Sequence, residues 1–228
     1  MTRLTKLALQ TILGVKPDGD FGPVSRAAFD KRLRNPQAAR LTEADFKRAA
    51  SRLGVPVGHI KGSRKIEAPR GPYDKQGRPN ILFERHKFRN NSDPVGRWND
   101  QYPDLSGRPY GPGGYGSFDS QYEKLFRAVA IDPHAALAAC SWGAFQVLGE
   151  NAVSLGYASA WDMVASLTTG EAAHLETYVR FIECNGLVKK LQACRPHDAA
   201  SCRPFVSVYN GAGYRLFNYD VLFAEAIA

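Results

Sequence analysis

Apolar stripes at helical spacing, each followed by a glycine, constrain the fold of this chain more than any other feature. Gly54 follows the first clear stripe and Gly186 follows the second. Spacings of three and four residues place the members of a stripe on one face of a helix, and glycine commonly ends a helix. The members of the two stripes are Phe46, Ala49, Ala50 and Leu53, and then Leu175, Tyr178, Val179 and Ile182. The pattern predicts a mainly α-helical core.

Further helix signals occupy the front of the chain. An apolar stripe over residues 4–13 and a second helix over residues 24–33 flank the turn-forming segment PDGDFGP at 17–23. Thr42 with Asp45 matches a capping box in which Asp replaces the usual Glu, so a third helix is predicted to begin there.

A weaker helix is predicted over residues 57–68, because its two glycines lower the helix propensity. It should end just after Glu67, since Pro69 disfavours helical geometry at Ala68. A carboxyl group at a helix end can face a cleft without being fully buried. Glu67 is therefore either a plain surface glutamate or a candidate acid.

One run, NILFERHKF at 80–88, has the composition of a β-strand. It lies in a long irregular region that also holds a Gly-rich loop at 107–116. In a strand, Glu84 and His86 would face one side, away from their neighbours Phe83 and Arg85. The predicted fold class is mainly α (α+β), with a small β patch.

Positive charge is concentrated at the front of the chain. The net charge is +8; residues 1–65 carry 14 Lys or Arg against 5 Asp or Glu, and residues 66–228 carry 16 against 17. Such asymmetry favours an anionic partner, namely nucleic acid, anionic lipid or a bacterial envelope polymer, or else a solvated basic face that aids solubility.

Composition disfavours several other classes. No apolar run approaches the ~20 residues that a membrane span requires, and the N-terminal segment lacks the pattern of a signal peptide, so synthesis in the cytoplasm is expected. The 4 cysteines and 5 histidines show no zinc-ligand spacing, so neither a metal nor an organic cofactor is predicted. Cys194 and Cys202 are able to close a short loop, but free thiols are expected.

The order of three segments resembles a known family. A glutamate at a helix end, then SWGAFQ, then YNGAGY resembles the lysozyme-like muramidases. The segments RPNILFERHKF (78–88), GGYG (113–116) and SWGAFQVLGEN (141–151) resemble more closely the N-acetylmuramidase domain of modular phage endolysins. This resemblance extends from about Thr42 to the C-terminus.

A separate segment, LQTILGVKPDGDFGPVSRAAF at 9–29, resembles the core of helical peptidoglycan-binding modules. The two resemblances imply a wall-binding module at 1–36, a linker at 37–41 and a lysozyme-like catalytic domain at 42–228. The candidate wall-binding residues are Asp18, Asp20, Phe21 and Arg26.

The resemblance implies an endolysin that hydrolyses the β-1,4 bond between N-acetylmuramic acid and N-acetylglucosamine. Glu67 would be the general acid, because an apolar, poorly hydrated site raises the pKa of a carboxyl group. Related folds carry this acid in a Glu-Ser pair, whereas here Ala68 follows. Glu84 would be a second catalytic carboxylate that positions water or supports the cation-like transition state. Alternatively, it would be a structural partner of Arg85, Arg89 or a cleft backbone amide.

The resemblance also implies substrate contacts. Gln146 would line the cleft and hydrogen-bond the sugar or a water. Tyr209 would donate to Glu67, and Asn210 would hold an N-acetyl group. Trp142 would belong either to the core or to a cleft wall. The complete set of candidate substrate contacts is Ser141, Trp142, Gln146, Tyr209, Asn210 and Tyr214.

Two other functions stay open. A lytic transglycosylase would use the same acid, with the sugar's own 6-hydroxyl in place of water. A non-catalytic wall- or DNA-binding protein would also explain the basic front, but no helix-turn-helix is recognisable and nucleic acid is not expected.

Geometry and location complete the expectations. If both glutamates are catalytic, their carboxyl groups should lie roughly 6.5–9.5 Å apart and the product should be inverted. A monomer is expected that reaches peptidoglycan in the periplasm after release, with anionic envelope polymers as further partners.

Overall fold

The structure is a computed structural model that describes residues 3–93, 95–109 and 114–228. These residues form a mainly helical fold with one small antiparallel sheet, as predicted. The helices are α1 (Lys6–Leu13), α2 (Pro23–Leu33), α3 (Glu43–Leu53), α4 (Val57–Glu67), α5 (Arg85–Ser92), α6 (Gln121–Ile131), α7 (Pro133–Ala138), α8 (Ala160–Leu167), α9 (Glu171–Cys184), α10 (Val188–Gln192), α11 (Ala199–Tyr209) and α12 (Tyr219–Ala226). The strands are β1 (Ile81–Phe83), β2 (Cys140–Trp142) and β3 (Val147–Leu148).

Local sequence signals account for the ends of α3 and α4. The predicted capping box is present: the Thr42 side chain accepts from the backbone N–H of Asp45, whose carboxylate accepts from the Thr42 N–H. Gly54 ends α3 in the left-handed conformation, with φ 64°. Helix α4 ends at Glu67, and Ala68 leaves the helical region with φ −129°. The position of Glu67 at a helix end is therefore confirmed.

The predicted strand over residues 80–88 is wrong beyond Phe83. Helix α5 begins at Arg85 with Glu84 in the N-cap position, and the Glu84 carbonyl accepts from the backbone N–H of Phe88. Strand alternation therefore does not apply to Glu84 and His86. They still lie close together, with His86 Nδ1 3.4 Å from Glu84 Oε2.

The sheet places β2 in the centre. It pairs with β1 through Leu82 and Ser141, and with β3 through Ser141 and Leu148. Gly143 follows β2 with φ 69° and opens a short 3-10 turn, Gly143–Phe145, that separates β2 from β3. This turn carries the SWGAFQ segment into the region of the candidate site.

Buried apolar side chains form two clusters. The first joins α1, α2, α5 to α8 and the strands β1 and β2. The second joins α3, α4 and α9 to α12 with the turn after β2 and with β3. Tyr157 packs against both clusters. The central strand therefore lies where the two clusters meet.

The predicted wall-binding module packs into the first cluster. Phe29 and Leu33 of α2 are fully buried, and the Phe29 ring centroid lies 5.8 Å from that of Trp161 on α8. Asn35 Nδ2 donates to the Thr168 carbonyl over 2.8 Å. The side chains of the module thus share a core with those of the predicted catalytic domain.

Among the described residues no helix combines the length and apolar character that crossing a membrane requires.

Candidate active site

Glu67 is the last residue of α4 and faces the end of α11. Asn210 Nδ2 donates to Glu67 Oε1 over 2.7 Å, the one hydrogen bond of that side chain among the described residues. Burial raises the pKa of the Glu67 carboxyl to about 7, and the hydrogen bond from Asn210 opposes this shift. The residue still keeps part of its surface open to solvent. Near pH 7 a substantial fraction of the Glu67 carboxyl groups is therefore still protonated, on a residue that is partly accessible to solvent.

Asn210 follows α11 and is oriented by the acid. The amide nitrogen of Asn210 faces Glu67 Oε1, and this orientation suits the ionised form of the acid, whose oxygens only accept hydrogen bonds. Its Oδ1 atom is buried and has no hydrogen-bond partner among the described residues. The site thus contains an unsatisfied acceptor next to the acid.

Tyr209 does not donate to Glu67, contrary to the sequence-based prediction. Its hydroxyl donates to the Phe145 carbonyl over 2.6 Å, which uses its single proton. The ring stacks on Phe205 with centroids 5.4 Å apart. Burial raises its pKa well above the usual value, and the charge of Glu67 adds to the shift. Tyr209 therefore lies near the acid and fixes the end of α11 to the turn after β2.

The side chain of His174 on α9 supports the turn after β2. His174 Nδ1 accepts from the Ala144 backbone N–H over 2.9 Å, which leaves Nε2 to donate to the Leu167 carbonyl at 2.8 Å. Burial lowers the pKa of His174 to about 4, so the ring is neutral near pH 7. A Cβ on Gly143 would come within 2.1 Å of His174 Nδ1. The ring and the turn are thus fitted to each other.

Gln146 ends this turn in the left-handed conformation, with φ 48°. Its Nε2 donates to the Gly143 carbonyl over 2.8 Å and to the Asn80 carbonyl over 3.3 Å. The side chain is half-buried. Its amide nitrogen is engaged inside the protein, so a contact with sugar or water through this side chain would use the carbonyl oxygen.

Helix α4 is fixed to α9 by two contacts near Glu67. Ser63, one turn before the acid, shares a 2.8 Å hydrogen bond with the Tyr178 hydroxyl. Arg64 donates to Glu171 over 2.9 Å, and Glu171 is almost fully buried. These contacts fix the orientation of α4 and therefore the position of Glu67 at its end.

Sequence reasoning missed His174, Glu171, Ser63 and the hydrogen-bonding role of Tyr178. Tyr178 was assigned to an apolar stripe, where it does pack, with its ring stacked 4.5 Å from that of Phe145. His174 and Glu171 precede that stripe on the same helix. Polar residues on the same face of the helix as the apolar stripe are the sequence signal that indicates such buried contacts.

Glu84 has a different environment from Glu67. Burial raises its pKa, while a hydrogen bond with Tyr115 and the charge of Lys87 lower it. Its Oε2 is buried without a hydrogen-bond partner among the described residues. The pKa of Glu67 responds to burial and to Asn210, and Glu84 does not contribute to it. No contact in the described parts of the chain joins the two glutamates, and their predicted separation stays a prediction.

The remaining candidate substrate residues are largely buried. Trp142 is 1% exposed and its Nε1 donates to the Leu137 carbonyl over 3.1 Å, so the indole belongs to the core and not to a cleft wall. Ser141 is 8% exposed in the central strand. Tyr214 is buried, and its hydroxyl accepts from Arg215 Nε over 3.1 Å. None of these three presents much free surface to a glycan.

Asp18 and Arg26 of the candidate wall-binding set are exposed to solvent, although each bonds to another side chain of the protein. Asp18 accepts from Gln10 Nε2 over 2.9 Å, and Phe21 is buried in the core. Arg26 pairs with Glu123 at 2.5 Å.

Further observations concern Asp20, the Gly-rich loop and groups of possible metal ligands. Asp20 is exposed. In the GGYG segment Gly113 lies outside the described residues, as do 110–112 of the Gly-rich loop. No group of acidic, histidine or cysteine side chains suited to a metal occurs in the described ranges.

Comparison with known proteins agrees with the fold and with a muramidase activity. The family model for muramidases, described as N-acetylmuramidase, matches residues 56–228. The chain is 28% identical to the protein in a crystal structure of Burkholderia AP3 phage endolysin, with a TM-score of 0.69 over 99% of this chain and 97% of that one. No curated protein sequence matches. The predicted lysozyme-like fold and glycoside hydrolase activity on peptidoglycan are confirmed at this level. The chain belongs to the N-acetylmuramidase family.

Proposed function

We propose that this muramidase hydrolyses the β-1,4 bond between N-acetylmuramic acid and N-acetylglucosamine, with Glu67 as the general acid. One observation carries the assignment: Glu67 ends a helix at a partly open surface, with a pKa raised by burial to about 7. A general acid must still hold its proton at the working pH and release it in the transition state. A carboxyl group in poorly hydrated surroundings meets this requirement.

Proton transfer proceeds from Oε2, because Oε1 is held by Asn210. Glu67 gives its proton to the glycosidic oxygen as the bond from that oxygen to the anomeric carbon breaks. The leaving sugar departs as an alcohol, and positive charge develops on the remaining ring. Water then attacks the anomeric carbon and releases a proton to solvent, and Glu67 takes up a proton from solvent, which completes hydrolysis and restores the acid.

Asn210 supports the transfer as it occurs. Its hydrogen bond lowers the pKa of Glu67 and therefore stabilises the carboxylate that forms when the proton leaves. An interaction that strengthens as charge develops accelerates the reaction more than one of constant strength. The same residue thus limits how far burial raises the pKa.

A role in substrate recognition is proposed for the side-chain carbonyl oxygen of Asn210. A buried acceptor without a partner costs about 1–3 kcal/mol, and Oδ1 of Asn210 is such an atom. The N–H of an acetamido group on the bound sugar would satisfy it. Both sugars of peptidoglycan carry this group, so the contact suits the proposed substrate.

Glu84 is kept as the candidate second carboxylate, with the role of positioning the attacking water. Its raised pKa and its contacts with Tyr115 and Lys87 also suit a structural role. For the basic front of the chain we keep contact with anionic envelope polymers. Lys31 and Arg32 at the end of α2 are exposed and suit this contact.

Product analysis tests the proposed reaction. Purified sacculi are digested, the fragments are reduced with borohydride, and their masses and terminal sugars are determined. The proposal expects reducing N-acetylmuramic ends, which become the sugar alcohol. Anhydro ends, lighter by one water and resistant to reduction, would identify a transglycosylase, and reducing N-acetylglucosamine ends would identify cleavage of the other glycosidic bond. A Glu67→Gln digest serves as the blank.

A further inference from the structure

Cys194 and Cys202 stand at the two ends of a loop that folds back on itself between α10 and α11. The Arg195 backbone N–H donates to Ser201 Oγ over 2.9 Å, and Arg195 forms an isolated antiparallel bridge with Asp198. These contacts draw together the residue after Cys194 and the residue before Cys202. Cys202 Sγ lies 3.9 Å from the carbonyl oxygen of Arg195, the residue next to Cys194, and both cysteines are buried. Two neighbouring thiols at a closed loop are the arrangement that a short disulfide requires.

The two sulfur atoms differ in their electrostatic surroundings. Cys202 lies in the first turn of α11, where the helix dipole favours a thiolate. The neighbouring Cys194 thiol lowers the pKa of Cys202, and Ser201 adds to this effect. Cys194 follows α10, and its Sγ donates to the Lys190 carbonyl over 3.3 Å. The neighbouring Cys202 thiol and burial raise the pKa of Cys194.

The loop that covers the thiols is exposed and is held by surface contacts, such as the ion pair between Arg195 and Asp198. Arg195, Pro196 and His197 are exposed to solvent. His197 adopts the left-handed conformation with φ 57°, which is uncommon for a residue other than glycine. Segments with few buried contacts open at low cost compared with global unfolding. Brief opening of this loop would admit a small disulfide compound to Cys202.

We propose that Cys194 and Cys202 form an intramolecular disulfide by exchange with an oxidising disulfide compound, and that this bond fixes the start of α11. The Cys202 thiolate attacks one sulfur of the oxidant, forms a mixed disulfide and releases the first thiolate. Cys194 then loses its proton and attacks the Cys202 sulfur, which releases the second thiolate of the oxidant. Two electrons and two protons pass from the protein, and the oxidant leaves as two thiols.

The consequence is a covalent link on the element that carries part of the active site. Tyr209 and Asn210 stand at the other end of α11, so the bond would hold that helix against α10. A muramidase whose substrate lies outside the cytoplasm meets oxidising conditions there. That setting rests on the proposed function, whereas the chemistry of the two thiols does not.

The test uses purified full-length wild type and a Cys184→Ser variant, which removes the exposed third thiol. Both proteins are incubated in glutathione buffers of graded redox potential and quenched with acid. Their intact masses are then measured by mass spectrometry. Cleavage before Asp198 then separates the two cysteines unless a disulfide joins them. The proposal expects the loss of two hydrogens without a glutathione adduct on Cys194 or Cys202, and linked peptides that contain these two cysteines. The melting temperature should rise by roughly 5–10 °C, as a nine-residue loop implies.

Single variants test the assigned order of attack. In Cys194→Ser, Cys202 should retain one glutathione, whereas in Cys202→Ser, Cys194 should stay reduced. Free thiols in the oxidised wild type and in Cys184→Ser, or separate glutathione adducts on Cys194 and Cys202, would overturn the proposal. The readout is mass, so it is independent of lytic activity.

Discussion

At the scale of single residues, the proposed chemistry depends on two opposing effects at one carboxyl group. Burial raises the pKa of Glu67 to about 7, while the hydrogen bond from Asn210 lowers it. Burial alone would hold the proton too firmly, and exposure alone would release it well below neutral pH. The balance between the two keeps the acid protonated yet able to transfer its proton.

Asn210→Ala should therefore change the pH dependence of lysis. In the wild type, kcat/KM should fall as the pH rises through about 7, because the acid loses its proton. Without the Asn210 hydrogen bond the pKa rises, so this alkaline limb should move to higher pH. The maximal kcat/KM should drop by roughly ten- to hundredfold, since a hydrogen bond to a charged group contributes about 1.5–3 kcal/mol. Turbidity loss of sacculi between pH 5 and pH 9 measures both effects.

A control variant separates this effect from general loss of an asparagine. Asn185→Ala removes an exposed residue whose Nδ2 bonds the Phe181 carbonyl at the end of α9. It should leave the alkaline limb in place. A limb that stays fixed or moves to lower pH in Asn210→Ala would contradict the assignment of Glu67 as the titrating acid.

At the scale of elements, the turn after β2 determines where the active-site side chains lie. Gly143 begins the turn, His174 supports it, and Phe145 accepts the hydrogen bond of Tyr209. Substitution of Gly143 would disturb all three contacts because a Cβ there meets the His174 ring. The end of α11 therefore depends on the turn after β2, on the His174 ring and on Tyr209 together.

Gly143→Ala should destabilise the protein by about 3 kcal/mol or more, from a left-handed backbone and an overlap with a buried ring. Gly186→Ala is the matched control: its φ of 63° is similar to the 69° of Gly143, but nothing lies within 4 Å of its added Cβ. It should cost about 1–2 kcal/mol. Urea unfolding at equilibrium measures both values. Equal losses in the two variants would show that the His174 ring does not constrain the turn.

Elements with local signals were predictable from the sequence. The Thr42–Asp45 capping box and the end of α4 at Glu67 each depend on residues no more than three positions apart. The boundary at Glu84 does not: apolar residues before it and a helical hydrogen bond to Phe88 after it change the structure within one predicted strand. Pairing of β1 with β2 decides where that strand ends, and no nearby residue signals it.

Contacts between distant residues explain the other errors. The partner of the Tyr209 hydroxyl lies 64 positions away, and that of His174 Nδ1 lies 30 positions away. The order of Glu67, Gln146 and Tyr209 along the chain indicated a shared site, but it gave no information about which atoms would bond. Trp142 shows the same limit, because its motif did not reveal that the indole is buried.

At the scale of the whole molecule, charge and packing divide the chain differently. The basic residues concentrate before residue 66, yet Phe29 and Leu33 pack into a cluster shared with α6 and α8. Deleting the first 36 residues would therefore expose part of that core as well as remove charge. Surface substitutions are the cleaner test of wall binding.

Lys31→Glu combined with Arg32→Glu should weaken binding to sacculi at low ionic strength. The difference from wild type should shrink as salt is added, because exposed charges are screened beyond about 8–10 Å near physiological salt. Lys189→Glu with Lys190→Glu on α10 changes the net charge by the same amount outside the front segment. Co-sedimentation with purified sacculi measures binding. If both pairs weaken it equally, the front of the chain has no specific part in wall binding.

The central claim is that Glu67 is the acid, and sacculus lysis by Glu67→Gln against Glu84→Gln tests it most directly. Glutamine has nearly the same shape but no proton to donate, so Glu67→Gln should lower the lytic rate by at least about 10²–10⁴-fold. It should stay folded, with a melting temperature at pH 8 no lower than that of wild type, because it removes a buried charge. Glu84→Gln should retain more activity or lose stability instead. A well-folded Glu84→Gln without activity, beside a Glu67→Gln that lyses at the wild-type rate, would contradict the assignment.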